Sequence, residues 1–191
     1  MRGKALAMGI AVLAALTSVA LTSLALTGVA LTGVAFGHAA LNATEAEAGA
    51  LTTLQFRITH GCGDSPTVRV RLTLPPGVSR VTPRVVPGWT VAVTHAPLEV
   101  PLSLHGQTVM ERVDTITWSG GEIPSFAYEQ FEVRLATPNE PGRTLLFAAR
   151  QECANGGSYD WADDPAAGPT EHPALMLTLT EPPMPVGHAH H

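Results

Sequence analysis

An antiparallel β-sandwich, all-β in class, is the fold this 191-residue sequence predicts. Three observations predict it. Short runs in which apolar and polar residues alternate recur along the chain after residue 50, as half-buried strands require. Pro and Gly pairs separate those runs at close intervals. No stretch of useful length carries the 3.6-residue apolar period of an amphipathic helix.

Taken in order, the chain begins with a segment unlike the rest. Arg2 and Lys4 are the only charges before Glu45, and residues 5–36 are uncharged. A basic start, an apolar middle and a small-residue end describe a signal peptide over residues 1–37. The apolar part exceeds the roughly 7–15 residues of an ordinary signal core. It also repeats, as LTSVA, LTSLA, LTGVA and LTGVA from Leu16 to Ala35. A span above about 18 residues could instead be a membrane anchor. The Thr, Ser and Gly in each repeat weaken that alternative, and Ala35-Phe36-Gly37 offers small residues at −3 and −1 for cleavage before His38. A rival cut follows Ala39. An exported protein, periplasmic or extracellular, is the expectation.

Residues 38–181 then form the sandwich. His38 to Ala43 is expected to be a first strand, Thr44 to Ala50 a turn, and Leu51 to Thr59 its antiparallel partner, with Leu54, Phe56 and Ile58 on one face. Residues 67–74 set Val68, Val70, Leu72 and Leu74 against Arg69, Arg71 and Thr73, and Pro75-Pro76-Gly77 stops the run. Further strands are expected at 89–94, 113–118, 127–135, 144–151 and 174–180. About seven to nine strands at this spacing suit a sandwich. Residues 182–191 (PPMPVGHAHH) read as a disordered, histidine-containing tail.

Charge narrows the function. The whole chain carries −5, and loss of Arg2 and Lys4 with the leader takes the remainder to −7. An acidic surface is a poor partner for nucleic acid and favours metal cations. Cys62 and Cys153, the two cysteines, both lie outside the leader. In an oxidising compartment the default is one disulfide; a thiolate metal pair is the alternative. No Gly-x-Ser-x-Gly, His-Glu-x-x-His, phosphate loop or dinucleotide fingerprint is present, so an enzyme is not expected and no small-molecule substrate is evident.

A chain beginning at His38 would present a free α-amine and the ring Nδ1 of one residue, which together close a chelate ring on a metal. Such nitrogens suit Cu(II). The predicted hairpin puts Thr59-His60-Gly61-Cys62 beside His38 and puts Glu45 and Glu47 at its far end. His60 and Asp64 are therefore the local candidates for a further ligand. Trp89 and Trp118 read as core residues. Trp161 reads as partly exposed. His95, His105 and His172 read as surface or loop residues, and His188, His190 and His191 as a weak metal-binding tail.

The ordered motifs HAALNATEAEAG, THGCGDSPT, LPPGV, VVPGW, ITWSGG, YEQFEVRL, RQEC, then Trp161 and EHPALMLTL, resemble the YcnI-like family over about residues 38–180. The resemblance implies an Ig-like or cupredoxin-like sandwich that binds Cu(II) through its mature N-terminal histidine, here His38, with a tryptophan, here Trp161, nearby. It also implies a role in copper handling, as a chaperone or acquisition factor, beside a membrane copper transporter or another copper chaperone. Many relatives have a Val-Pro-x-Glu run where this chain has Thr59-His60-Gly61-Cys62, which leaves the remaining ligand open between His60 and Asp64, with Glu45 an alternative only if the hairpin does not form. Tyr159-Asp160-Trp161 departs from the family's basic-Trp-Ile run, which makes Asp160 a candidate as well. Two other functions stand beside this one: a copper enzyme with a two-histidine brace, if His60 ligates, and a metal-free interaction module.

Overall fold

The computed structural model describes residues 39–104 and 106–183. His38, the leader, His105 and the tail histidines lie outside the described residues, as do the expectations placed on them. Eleven strands run in chain order: β1 (Ala39–Leu41), β2 (Glu45–Glu47), β3 (Leu51–Ile58), β4 (Thr67–Thr73), β5 (Ser79–Pro83), β6 (Thr90–Leu104), β7 (Gln107–Ile123), β8 (Glu129–Ala136), β9 (Thr144–Cys153), β10 (Ser158–Trp161) and β11 (Leu175–Thr180). A 3-10 turn at Pro165–Ala167 is the one helical element among the described residues.

Two sheets form the predicted sandwich. One has the order β1–β3–β8–β5. The other runs β2–β11–β9–β4–β7–β6, with β10 beside the second half of β9. Every ladder is antiparallel except β2 on β11. The inward positions are those the alternation marks: Leu54, Phe56 and Ile58 from β3, Phe131, Val133 and Leu135 from β8, and Leu145, Phe147 and Ala149 from β9. Phe56 meets Phe147 across the sandwich at 5.3 Å between ring centroids. Trp118 and Trp89 both pack on Phe131, at 4.9 and 5.2 Å, so the core assignment of these two tryptophans holds. Apolar area of this kind removed from water supplies the main stabilisation.

Four local features depart from the expectation. Residues 44–50 are not simply a turn: Glu45 and Glu47 point outward, Ala46 packs inward, and the segment crosses to the second sheet as β2. The hairpin pairing of β1 with β3 survives this, with Ala39 opposite Ile58 and Leu41 opposite Phe56. Strands β6 and β7 extend much further than residues 89–94 and 113–118. Pro97 and Pro101 look like breakers in the sequence, but β6 is an edge strand, where a missing N–H is tolerated. Strands β5 and β10 are short and carry weak alternation. Finally, a register shift between Thr67 and Arg69 turns Thr67 inward, fully buried, and leaves Val68 only half-buried.

Candidate metal centre

Strand β1 starts at one end of the sandwich. Because Ala39 pairs with Ile58, the chain joins β1 at the end where β3 runs out into Thr59 and His60. Three devices hold that segment. The Gln151 amide, 2% exposed, donates to the His60 carbonyl at 3.0 Å and to Thr67 Oγ1 at 2.5 Å. The Gly61 N–H donates to the Pro124 carbonyl at 3.2 Å. Cys62 is bonded to Cys153, with 5.8 Å between Cα atoms, which makes the expected disulfide a feature of the fold. The inward turn of Thr67 matters here, because it gives the Gln151 amide its second acceptor. Gly61 is needed for another reason. A Cβ there would stand 2.8 Å from the Ile123 carbonyl oxygen and 2.9 Å from Pro124 and Ser125 backbone carbons.

His60 itself is half-buried, and its Nδ1 lies against the Gly61 carbonyl. An Nδ1–H donated to that carbonyl fixes the tautomer and leaves Nε2 with a lone pair, the usual arrangement of a ligating histidine. Asp64 sits exposed in the tight turn between Cys62 and Ser65. Glu45 lies beyond β1 and the bends at Asn42 and Thr44, paired opposite Thr178 in the second sheet, so it is carried away from this end as the hairpin predicts.

The two candidates on β10 face opposite ways. Asp160 lies opposite Arg150 on the outer surface of the sheet and pairs with it at 2.6 Å, its side chain 54% exposed. Glu152 binds Arg69 at 3.0 Å on the same surface. Trp161 points inward and is 2% exposed, not partly exposed as expected from its Asp and Cys neighbours. Alternation along a four-residue strand decides both placements. Asp160 and Trp161 thus cannot meet one ion together.

Trp161 belongs to an aromatic group. Its ring lies 6.2 Å from Tyr159 and 5.0 Å from His172. His172 and Tyr159 are stacked at 6.2 Å. The His172 carbonyl accepts from the Ala162 and Asp163 N–H groups at 3.1 Å each, which fixes the histidine against β10. No periodic signal in the sequence links Trp161 to His172, because the loop between them is irregular. Beyond His172, Ala174 and Leu175 form one wall of a cleft of about 300 Å³ whose other wall is Ala39 and Leu41. Among the described residues no three His, Cys, Asp or Glu side chains gather as a metal cluster; His38 is outside that set.

The family described as Domain of unknown function (DUF1775) matches residues 38–179. Among solved structures, an uncharacterized protein from Nocardia farcinica with an immunoglobulin-like fold is similar at 26% identity, covering 75% of this chain and 98% of its own, with a TM-score of 0.57. A cohesin module from a family 33 glycoside hydrolase of Clostridium perfringens is similar at 14% identity, covering 76% and 98%, with a TM-score of 0.47. No curated protein matches. The first of these likenesses agrees with the Ig-like sandwich described above.

Proposed function

The chain belongs to the DUF1775 family, the one its motifs resemble under the name YcnI-like, and on that premise we propose that it is an exported Cu(II)-binding protein, a chaperone or acquisition factor of the cell envelope. Its tight site is a chelate made by the α-amine and Nδ1 of His38 after cleavage before that residue. Copper is its cargo, passed on by ligand exchange to a membrane transporter or another chaperone.

One observation carries this reading. The family match starts at His38, one peptide bond before Ala39, and Ala39 is fixed by pairing to the end of the sandwich that holds His60. The donor set is chemically apt, because the His60 Nδ1 contact with the Gly61 carbonyl leaves its Nε2 for a metal. The disulfide fits an oxidising compartment. Among the described residues no helix is long and apolar enough to cross a membrane.

Joining amine and imidazole on one residue removes the entropy of bringing two nitrogens together. Both must be deprotonated to bind, with ordinary values near 7.7–8.0 and 6.5. Affinity therefore falls as pH drops, by up to about 100-fold per unit below pH ~6.5 if two protons are displaced. The decisive experiment compares protein beginning at a free His38 with the same protein acetylated on its α-amine, in a Cu(II) titration followed by electron paramagnetic resonance. Acetylation keeps the imidazole but turns the amine into an amide with no lone pair to give the metal, so the chelate ring cannot close and tight binding should be lost. Equal affinity and an identical spectrum would defeat the chelate.

A further inference from the structure

We infer that His172 contributes a second imidazole to the copper centre, opposite His60 across the start of β1. This rests on the Cu(II) reading above and deepens it.

The Thr178 N–H donates to the Thr44 carbonyl at 2.9 Å, and Glu45 lies opposite Thr178 in a parallel pairing. The chain from β1 into β2 and the chain along β11 therefore run the same way. Stepping back along both from Thr44 and Thr178 leads to Ala39 on one and to the segment just after His172 on the other. The cleft between the sheets agrees, since Ala39 and Ala174 both line it. His172 precedes Ala174 by two residues, about 7 Å of extended chain. On its other side Ala39 pairs with Ile58, two residues before His60. The start of β1 is thus bracketed by two histidine-bearing segments, one from each sheet.

An indole N–H is a donor with no lone pair to give a metal, and Trp161 is 2% exposed. A tryptophan so placed can border a copper centre but not ligate it. The ring packed against it at a tilt is an imidazole, 5.0 Å away between centroids and only half-buried. Among the described residues no hydrogen bond occupies either nitrogen of the His172 ring; its backbone N–H, by contrast, is held by Thr170 Oγ1 at 3.0 Å. The ring is held by its contacts with Tyr159, nearly parallel at 6.2 Å, and with Trp161, tilted at 5.0 Å, so its orientation is set before any ligand binds.

The test uses the processed protein beginning at His38, with Cu(II) alone as probe. Electron spin echo modulation counts the coordinated imidazoles, and competition with a chelator gives the affinity. His172→Ala should lose one imidazole and bind about tenfold more weakly or worse. Should His172→Ala fail to fold by circular dichroism, His172→Phe keeps a ring on Trp161 without the nitrogens and decides the matter with the same two readouts. An unchanged imidazole count and affinity in the folded variant overturn the proposal. So does a parent protein that binds no Cu(II) tightly. If protein acetylated on the His38 α-amine retains the site while the His172 variants lose it, the N-terminal chelate fails and the role of His172 stands.

Discussion

Replacing Cys62 and Cys153 together by alanine should cost this domain a large share of its stability. The bridge spans 91 residues, most of the sandwich. In the chain-entropy treatment a loop of that length removes about 15.5 cal/mol/K from the unfolded chain, or about 4.6 kcal/mol at 25 °C. Both cysteines are nearly buried, at 6% and 7% exposure, so alanine avoids burying a hydroxyl. For a domain the length of the 38–179 match, about 2.1 cal/mol/K per residue gives an unfolding entropy near 0.3 kcal/mol/K. The melting temperature should therefore fall by about 15 °C. Calorimetry of the double variant, set beside the parent melted with and without reductant, measures this. A drop below about 4 °C in both comparisons would refute the reasoning, since it would mean that the unfolded chain gains little freedom when the bridge is absent.

Three further outcomes follow from the same end of the molecule. Gly61→Ala drives a methyl into three backbone atoms at 2.8–2.9 Å and should cost about 1–3 kcal/mol, read as a lower denaturant midpoint with unchanged slope. Gln151→Leu leaves the part-buried His60 carbonyl and the buried Thr67 hydroxyl without their donor and should cost about 1–3 kcal/mol in the same assay, while also loosening the His60 segment, seen as faster amide exchange at Gly61. Asp160→Asn breaks only an exposed ion pair with Arg150 and should change stability by less than about 1 kcal/mol and copper affinity not at all; a tenfold loss of affinity would restore Asp160 to the ligand set.

The sequence was most readable where one face of a strand is buried and the other wet. Leu54, Phe56 and Ile58 fall on one side of β3, and Val70, Leu72 and Leu74 on one side of β4 and its exit, because period-two alternation is what a half-buried strand must show. It was least readable at edges. The eight-residue stretch from Thr90 to Pro97 pairs with β7 although it contains the break signal of Pro97, because an edge strand has a free side. The crossing of Glu45–Glu47 to the second sheet is invisible locally, since three alternating residues also fit a turn. At the candidate centre, residue types were legible and directions were not. Asp160 and Trp161 are adjacent in sequence and on opposite faces in space. The inward turn of Thr67 depends on a bulge, and bulges depend on partners far along the chain.

The short first strand is tied down more firmly than its length suggests. Three residues of pairing would be marginal alone. Just after them, Asn42 donates its N–H to the Gln55 carbonyl at 3.1 Å and accepts the Gln55 N–H on its side-chain oxygen at 2.8 Å, closing the ladder. The chain then leaves the first sheet and joins the second, where the Ala48 N–H reaches the Thr180 carbonyl at 3.0 Å and Thr137 Oγ1 donates to the Glu47 carbonyl at 2.7 Å. Within ten residues the segment is bonded to both sheets. A metal ligand placed on a chain terminus ordinarily sits on the least ordered part of a protein, and a chelate there gains little from preorganisation. Here the described chain begins already docked, between the end of β3 and the start of β11. On the proposed reading, the ordering cost of the residues that follow the terminal histidine is met in folding and not in metal binding, the condition under which such a chelate can hold copper tightly.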